Sequence, residues 1–184
     1  MFKSALFKPA LRLLLLASIT FAIQAQETKP DPWAPVRFII GTWHASAQGE
    51  PGKGTVVRTY EFILNNQFIQ ERNTSTYPPQ EKNKQGEVHQ HLGMISYDGK
   101  RKTLVLRQFH QESFVNTYAL DRSASKPSLL VFESESFENF DSSWRGRETY
   151  EIISNDEFIE TFELAPPGKP FEVYSRSRFK RVKS

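Results

Sequence analysis

TVVRTYEFILNNQFIQERNTS, residues 55–75, is the stretch that decides the fold. Apolar and polar side chains alternate along both halves, as in two half-buried β-strands, and Asn65-Asn66 between them is typical of a two-residue hairpin turn. With that turn, Tyr60 lies opposite Glu71, because paired positions in an antiparallel hairpin have a constant sum. Two further pairs follow in the same register: Phe62 with Ile69, and Arg58 with Asn73. These six side chains share one face, which we assign to the interior because the other face carries threonines and a glutamate.

The same alternation recurs along the chain from Gly41 onward, in short runs bounded by turn residues. It predicts ten strands: 42–48, 54–64, 67–75, 87–97, 102–110, 113–121, 128–135, 143–153, 157–164 and 171–180. Ten antiparallel strands joined mostly by hairpins leave exposed edges unless the sheet closes. We therefore predict an all-β, up-and-down barrel, with an open sandwich as the alternative. A short helical turn is expected between Trp33 and Ile40, before the first strand.

The N-terminal segment has the three-part layout of a secretory signal peptide. Three basic residues accompany an apolar run from Leu13 to Ile23, and Ala25 ends an acceptable cleavage site. The run is too short to span a bilayer, so we expect no membrane span after cleavage. We assign 1–25 to a signal peptide, 26–36 to a linker and 37–184 to the barrel domain. The expected location is the periplasm or the outside of the cell.

Charge and cysteine content exclude several classes of protein. The chain has 24 Lys and Arg against 21 Asp and Glu, and three of the basic residues lie in 1–25. The remainder is formally neutral, which removes the electrostatic support for nucleic-acid binding. Cysteine is absent, so the fold relies on burial rather than on disulfides, and no lipid can be attached through a thiol. The oligomeric state stays open.

A candidate cavity follows from the assignment of faces. A two-residue turn between 102–110 and 113–121 would place Arg107 and Phe109 on one face with Phe114, Asn116 and Tyr118. Together with the interior face of the first hairpin, this gives the predicted ligand-binding residues: Arg58, Tyr60, Phe62, Glu71, Arg107, Phe109, Phe114, Asn116 and Tyr118. A buried arginine needs a carboxylate or an anionic ligand, and Glu71 can neutralise only one of the two. The alternative is that these polar groups satisfy one another in a closed core.

Three histidines form a second cluster. His89 and His91 are two residues apart on one predicted strand, and His110 falls on the same face, so their imidazoles are candidate ligands for zinc or copper. The same face also holds glutamine, threonine and lysine side chains, which favours the barrel exterior. We therefore assign no metal site.

The residues Gly41-Thr42-Trp43 resemble the Gly-x-Trp signature of calycin barrels, the superfamily of the lipocalins and fatty-acid-binding proteins. The longer stretch FIIGTW, residues 38–43, looks like the opening of nitrobindin-type haem-binding barrels and of related bacterial lipocalin-like domains. This resemblance implies that Trp43 packs at the closed end of the barrel under an arginine of the last strand. Arg176 or Arg178 would be that arginine. Nitrobindin-type proteins take their haem-ligating histidine from near the C-terminus, where this chain has none, so we expect no haem and no other cofactor.

These observations favour an exported barrel that binds a small hydrophobic or amphipathic ligand, anionic ligands included. A haem- or metal-binding barrel and a barrel enzyme of the isomerase or cyclase type are the alternatives, together with a scaffold whose interior is fully packed. No phosphate loop, nucleophile elbow or zinc-protease motif occurs, so we assign no catalytic residue. Whether the domain catalyses a reaction stays open, and binding without turnover is favoured.

Overall fold

The protein is described by a computed structural model over residues 30–183, which form a closed barrel of ten antiparallel strands. The predicted signal peptide and the first part of the predicted linker lie outside the described residues. The strands are β1 Gly41–Gly49, β2 Gly52–Ile63, β3 Phe68–Tyr77, β4 Glu87–Asp98, β5 Thr103–His110, β6 Val115–Leu120, β7 Leu129–Glu138, β8 Arg145–Ser154, β9 Glu157–Ala165 and β10 Glu172–Arg181. Within the described range, no helix is long and apolar enough to cross a membrane.

Each strand pairs with its neighbours in the sequence, and β10 pairs with β1, so the sheet has no free edge. The predicted up-and-down barrel is confirmed. The register predicted for the hairpin of β2 and β3 is also confirmed: Tyr60 faces Glu71, Phe62 faces Ile69 and Arg58 faces Asn73. The two asparagines of its turn have positive φ angles, a conformation that asparagine tolerates better than most residues.

The chain ahead of β1 covers one end of the barrel. A single 3-10 turn, Arg37–Ile39, stands where a short helical turn was predicted. Trp33, Val36 and Ile39 are buried, and the Trp33 ring meets the Phe62 ring edge to face at 5.6 Å. Phe62 therefore packs at this closed end, and its predicted place in a ligand cavity is wrong.

Trp43 and Arg181 seal the same end. Trp43 is fully buried and pairs with Arg181 across β1 and β10, and the Arg181 guanidinium lies 4.3 Å from its ring centroid. Arg181 also donates hydrogen bonds to the carbonyl oxygens of Ile40 at 2.6 Å and Phe38 at 2.5 Å. The arginine over the tryptophan is thus Arg181.

The expectation of Arg176 or Arg178 in this role is wrong. Side chains alternate along β10, and the buried set contains Ser177 and Phe179, which sends Arg176 and Arg178 to the outside. There they form ion pairs with exposed or partly exposed glutamates, Arg176 with Glu151 of β8 and Arg178 with Glu157 of β9.

The hairpin of β5 and β6 differs from its prediction by one residue. The His110 backbone N–H donates to the carbonyl oxygen of Phe114, and the Ser113 N–H donates to the carbonyl oxygen of His110. A three-residue loop, which ends at Ser113 with a φ of 73°, therefore replaces the expected two-residue turn. Gln108 therefore faces Asn116, and Arg107 faces Thr117. A one-residue change inverts the faces of a strand, so Arg107 and Phe109 point outward, and their predicted place in the cavity is wrong.

We expect Arg181→Ala to lower the free energy of unfolding by about 2–3 kcal/mol, because it removes charged hydrogen bonds to buried backbone and a cation–π contact. Arg176→Ala, on the outer face of the same strand, should change it by less than about 0.5 kcal/mol. Urea unfolding followed by tryptophan fluorescence measures both. Equal losses would contradict a sealing role for Arg181.

Candidate functional site

A cavity of about 680 Å³ opens at the end of the barrel opposite Trp43. Its mouth is formed by the connections that follow the odd-numbered strands, from Glu50 between β1 and β2 to Pro166 between β9 and β10. The volume lies within the range of small-molecule sites in proteins. The interior is therefore open at this end, while the half of the barrel near Trp43 is packed with buried aromatic and aliphatic side chains.

Aromatic side chains form one wall of the cavity. Phe140 is at the centre of the group, with its ring 5.7 Å from Phe137, 5.8 Å from Trp144 and 6.3 Å from Phe114. Phe162 and Tyr174 extend the wall, in edge-to-face contact at 5.7 Å. This wall offers a large apolar surface to a ligand.

The rest of the lining is acidic. Six glutamates line the cavity: Glu50, Glu87, Glu112, Glu148, Glu160 and Glu172. Arg58 is the only lysine or arginine among the described lining residues. The cavity therefore has a negative electrostatic character, which low-dielectric walls reinforce.

Arg58 forms the floor, and its charge is already paired. It makes a two-pronged ion pair with Glu160, with Nη2 to Oε1 at 3.1 Å, and its Nε lies 3.1 Å from Oε1 of Glu71. Nε also donates to Asn73 Oδ1 at 2.8 Å, and Nη1 donates to the Tyr60 hydroxyl at 3.1 Å. Burial alone would lower the pKa of Arg58, but attraction to Glu160, Tyr60 and Glu71 outweighs it and raises that pKa well above its ordinary value.

Glu71 is fully buried beneath the floor and links Arg58 to the histidine cluster. Its burial would raise its pKa, yet the charge of Arg58 and the hydrogen bond to His91 hold that pKa below its ordinary value. Gly93, its neighbour on β4, provides the space, because a Cβ there would lie 2.4 Å from Glu71 Oε2. Glu71 is thus a buried carboxylate, held ionised by a guanidinium and an imidazole.

Glu148 is a buried carboxyl of the opposite kind. Burial and repulsion by Glu160 and Glu71 raise its pKa to about 8, and the Tyr150 hydroxyl donates to its Oε2 at 3.2 Å. The side chain is therefore mainly protonated at neutral pH and can donate a hydrogen bond into the cavity.

The three histidines line the cavity from β4 and β5, with the His110 ring stacked on Phe114 at 4.2 Å, so their predicted place on the exterior is wrong. The reason is the same one-residue change in the β5–β6 loop, together with the pairing of His91 with His110. His110 Nδ1 lies 3.2 Å from His89 Nε2. Burial and the neighbouring His91 and His89 lower the pKa of His110 to about 3, so its imidazole is neutral at neutral pH.

The structure brings together most, but not all, of the predicted ligand-binding residues. Arg58, Phe114 and Asn116 line the cavity. Tyr60, Glu71 and Tyr118 are buried in the barrel next to lining residues, to which they are hydrogen-bonded or ion-paired. Phe62, Arg107 and Phe109 lie elsewhere, as described above.

Sequence reasoning missed Glu148 and Glu160, which lie on β8 and β9. Each sits two residues from a large buried aromatic, Tyr150 and Phe158, on the same strand face. That alternation was the available signal for their inward orientation.

Comparison with known proteins shows the fold alone. The sequence matches no family model and no curated protein. Among solved structures, the chain is similar to the crystal structure of Rv2717c from M. tuberculosis, with a TM-score of 0.61 and 11% identity over 84% of this chain and 99% of that one. A protein of unknown function from the DUF3598 family of Nostoc punctiforme aligns over 84% of this chain and 100% of its own at 9% identity, but its TM-score of 0.28 carries no structural argument.

Glu148 makes stability depend on pH. Because its pKa is about 8 in the folded protein against 4.5 for an ordinary glutamate, the folded state holds a proton that the unfolded chain releases in this range. The free energy of unfolding therefore keeps the full contribution of Glu148 below pH 4.5. It falls as pH rises from 4.5 towards 8, by up to about 1.4 kcal/mol per pH unit. Glu148→Gln, which mimics the protonated form, should remove this slope.

Urea unfolding of the wild type and Glu148→Gln at half-unit steps from pH 4.5 to 8 measures the difference. Glu151→Gln, an exposed position on the same strand, is the matched control and should leave the wild-type slope unchanged. Parallel curves for the wild type and Glu148→Gln would contradict the raised pKa.

Proposed function

We propose that this barrel is an exported protein that binds a small amphipathic molecule in its open cavity, with a cationic or neutral polar group on that molecule. The observation that carries the proposal is the lining itself: it combines aromatic rings with glutamates, and the one arginine among the described lining residues is already paired. The candidate signal peptide at 1–25 supports export to the periplasm or beyond.

The aromatic wall selects the apolar part of the ligand. Phe137, Phe140 and Trp144 lie in edge-to-face contact and leave ring surface facing the cavity. Such rings bind apolar groups by burial and bind organic cations through their π faces. A ligand with an aromatic or aliphatic body therefore gains contact along this side of the barrel.

The charge of the lining selects the polar part. Two interior arginines were the reason to include anions among the expected amphipathic ligands, but Arg107 is on the outside and Arg58 is shared by Glu71 and Glu160. An anion would therefore meet Glu87 and Glu172 at the mouth, and among the described residues that line the cavity no unpaired guanidinium is available to bind it. A cationic or neutral group avoids this repulsion, since like charges in a low-dielectric cleft are costly.

Paired dyes of similar size test the charge preference. We expect an aromatic cation such as thioflavin T to bind at least about tenfold more tightly than the anion 1-anilinonaphthalene-8-sulfonate at low ionic strength, and added salt to reduce the difference. Fluorescence titration of the purified protein measures both affinities.

Substitutions at two serines on adjacent strands test whether the ligand binds inside the cavity. Ser177 is buried on the cavity lining, and Ser46 is exposed on the outer face of β1. Ser177→Phe should weaken binding of the cation by at least about tenfold by filling cavity space, and Ser46→Phe should leave it unchanged. Equal affinity for the two dyes, or equal effects of the two variants, would overturn the proposal.

Glu148 favours a second candidate function, proton transfer in a barrel enzyme. A cavity carboxyl with a pKa near neutrality has the property required of a general acid or base. Native mass spectrometry and organic extraction of the purified protein identify the bound molecule. The two functions differ in what is recovered after the protein is incubated with that molecule. Binding returns that molecule unchanged, whereas an enzyme returns a product, and Glu148→Gln abolishes its formation.

A further inference from the structure

We propose that His89, His91 and His110 form a binding site for one divalent transition-metal ion on the wall of the cavity. The site goes beyond the binding of an organic ligand and does not depend on it. Two of the histidines come from β4 and the third from the facing end of β5, so the sheet itself fixes their backbones.

The spacing of the imidazoles suits a single ion. One ring nitrogen of each histidine lies within 4.8 Å of a nitrogen of each of the other two. His89 Nε2 and His110 Nδ1 are 3.2 Å apart. Ligand nitrogens in a tetrahedral zinc site are about 3.3 Å apart, as follows from zinc–nitrogen bonds of about 2.05 Å. Two ligands are thus already at the required separation, and the third histidine offers a nitrogen within 4.8 Å of the group.

Carboxylates hold two of the three rings by their other nitrogen. His91 Nε2 lies 2.9 Å from Glu71 Oε1, and His89 Nδ1 lies 3.0 Å from Glu112 Oε1. His110 Nε2 lies 3.2 Å from Asn116 Nδ2. Histidines that bind metals almost always have such a partner, commonly a carboxylate, which orients the ring and increases its basicity. His91 and His89 each have a carboxylate partner of this kind. The Asn116 Nδ2 near His110 is a donor, so His110 binds a metal through Nδ1 only when the Asn116 amide is turned to present its oxygen to Nε2.

His91 supplies an independent sign of a missing ligand. Its side chain is only 7% exposed, and its Nδ1 is buried with no hydrogen-bond partner among the residues that the structure describes. A buried polar atom without a partner costs about 1–3 kcal/mol. Coordination of a metal ion by Nδ1 would satisfy this atom.

The surroundings also favour a cation. The glutamates at the mouth make the cavity negative, and two of them, Glu87 and Glu112, lie next to His89 but outside the three-histidine group. Three protein ligands leave a fourth position that faces the cavity, the arrangement of zinc sites that bind an exchangeable molecule. Imidazole nitrogens select zinc, copper or nickel over magnesium and calcium, which prefer oxygen.

Zinc titration tests the proposal directly. The purified protein is stripped with EDTA, dialysed, and titrated with Zn²⁺ against a chromophoric chelator. We expect one Zn²⁺ per chain and no competition from Mg²⁺ at a hundredfold excess. A stoichiometry of zero, or equal competition by Mg²⁺, overturns the proposal.

Variants then assign the ligands. His89→Gln and His110→Gln should each weaken zinc binding at least about a hundredfold, and Glu112→Gln about tenfold, since it only orients His89. His44→Gln, on the exposed outer face of β1, is the matched control and should bind as the wild type does. Unchanged affinity in both ligand variants overturns the assignment.

A measurement on the unmodified protein guards against misfolded variants. Electron paramagnetic resonance of the wild type loaded with one equivalent of Cu²⁺ should show hyperfine coupling to imidazole nitrogens from three histidines. A spectrum with coupling to fewer than two imidazoles would overturn the site, whatever the variants do.

Discussion

Arg58 carries a full charge into the middle of the barrel, where water cannot solvate it and where an unpaired ion costs several kcal/mol. Its partners come from separate parts of the chain: Glu71 from the adjacent strand β3, and Glu160 from β9. The network therefore ties together strands that do not pair with one another. It also divides the interior, because the residues towards Trp43 form an apolar core and those on the other side line the cavity.

The character of the cavity follows from this network. Arg58 is balanced inside the protein, and Glu50, Glu87 and Glu172 at the mouth have no ion-pair partner among the described residues, so the lining is negative. Burial, together with repulsion from Glu160 and Glu71, raises the pKa of Glu148 and keeps it mainly protonated, and Glu71 also holds the His91 ring by a hydrogen bond. In the proposed function, one buried ion network thus affects the ligand charge that the cavity favours, the proton held by Glu148 and the orientation of His91 in the candidate metal site.

Local patterns predicted what local rules control. The ten strands, barrel closure and the register of β2 with β3 follow from alternation and from a two-asparagine turn. The β5–β6 loop has no comparable turn sequence, and it is one residue longer than predicted. Because of that residue, Arg107 faces outward and the histidines face the cavity. The pairing of Arg58 with Glu160 spans 102 residues, and no short-range pattern reports such a contact. The choice of Arg181 over Arg176 depended likewise on knowing which face of β10 points inward.

The most direct test of this network is the stability of Arg58→Met with and without its partners replaced. We expect Arg58→Met alone to lose at least about 3 kcal/mol in urea unfolding, because Glu71 and Glu160 become buried charges without a counterion. The triple variant Arg58→Met, Glu71→Gln, Glu160→Gln should recover most of that loss, since no buried charge is left unpaired. A single variant within about 1 kcal/mol of the wild type, or a triple variant no more stable than the single, would contradict a buried network at the centre of the barrel.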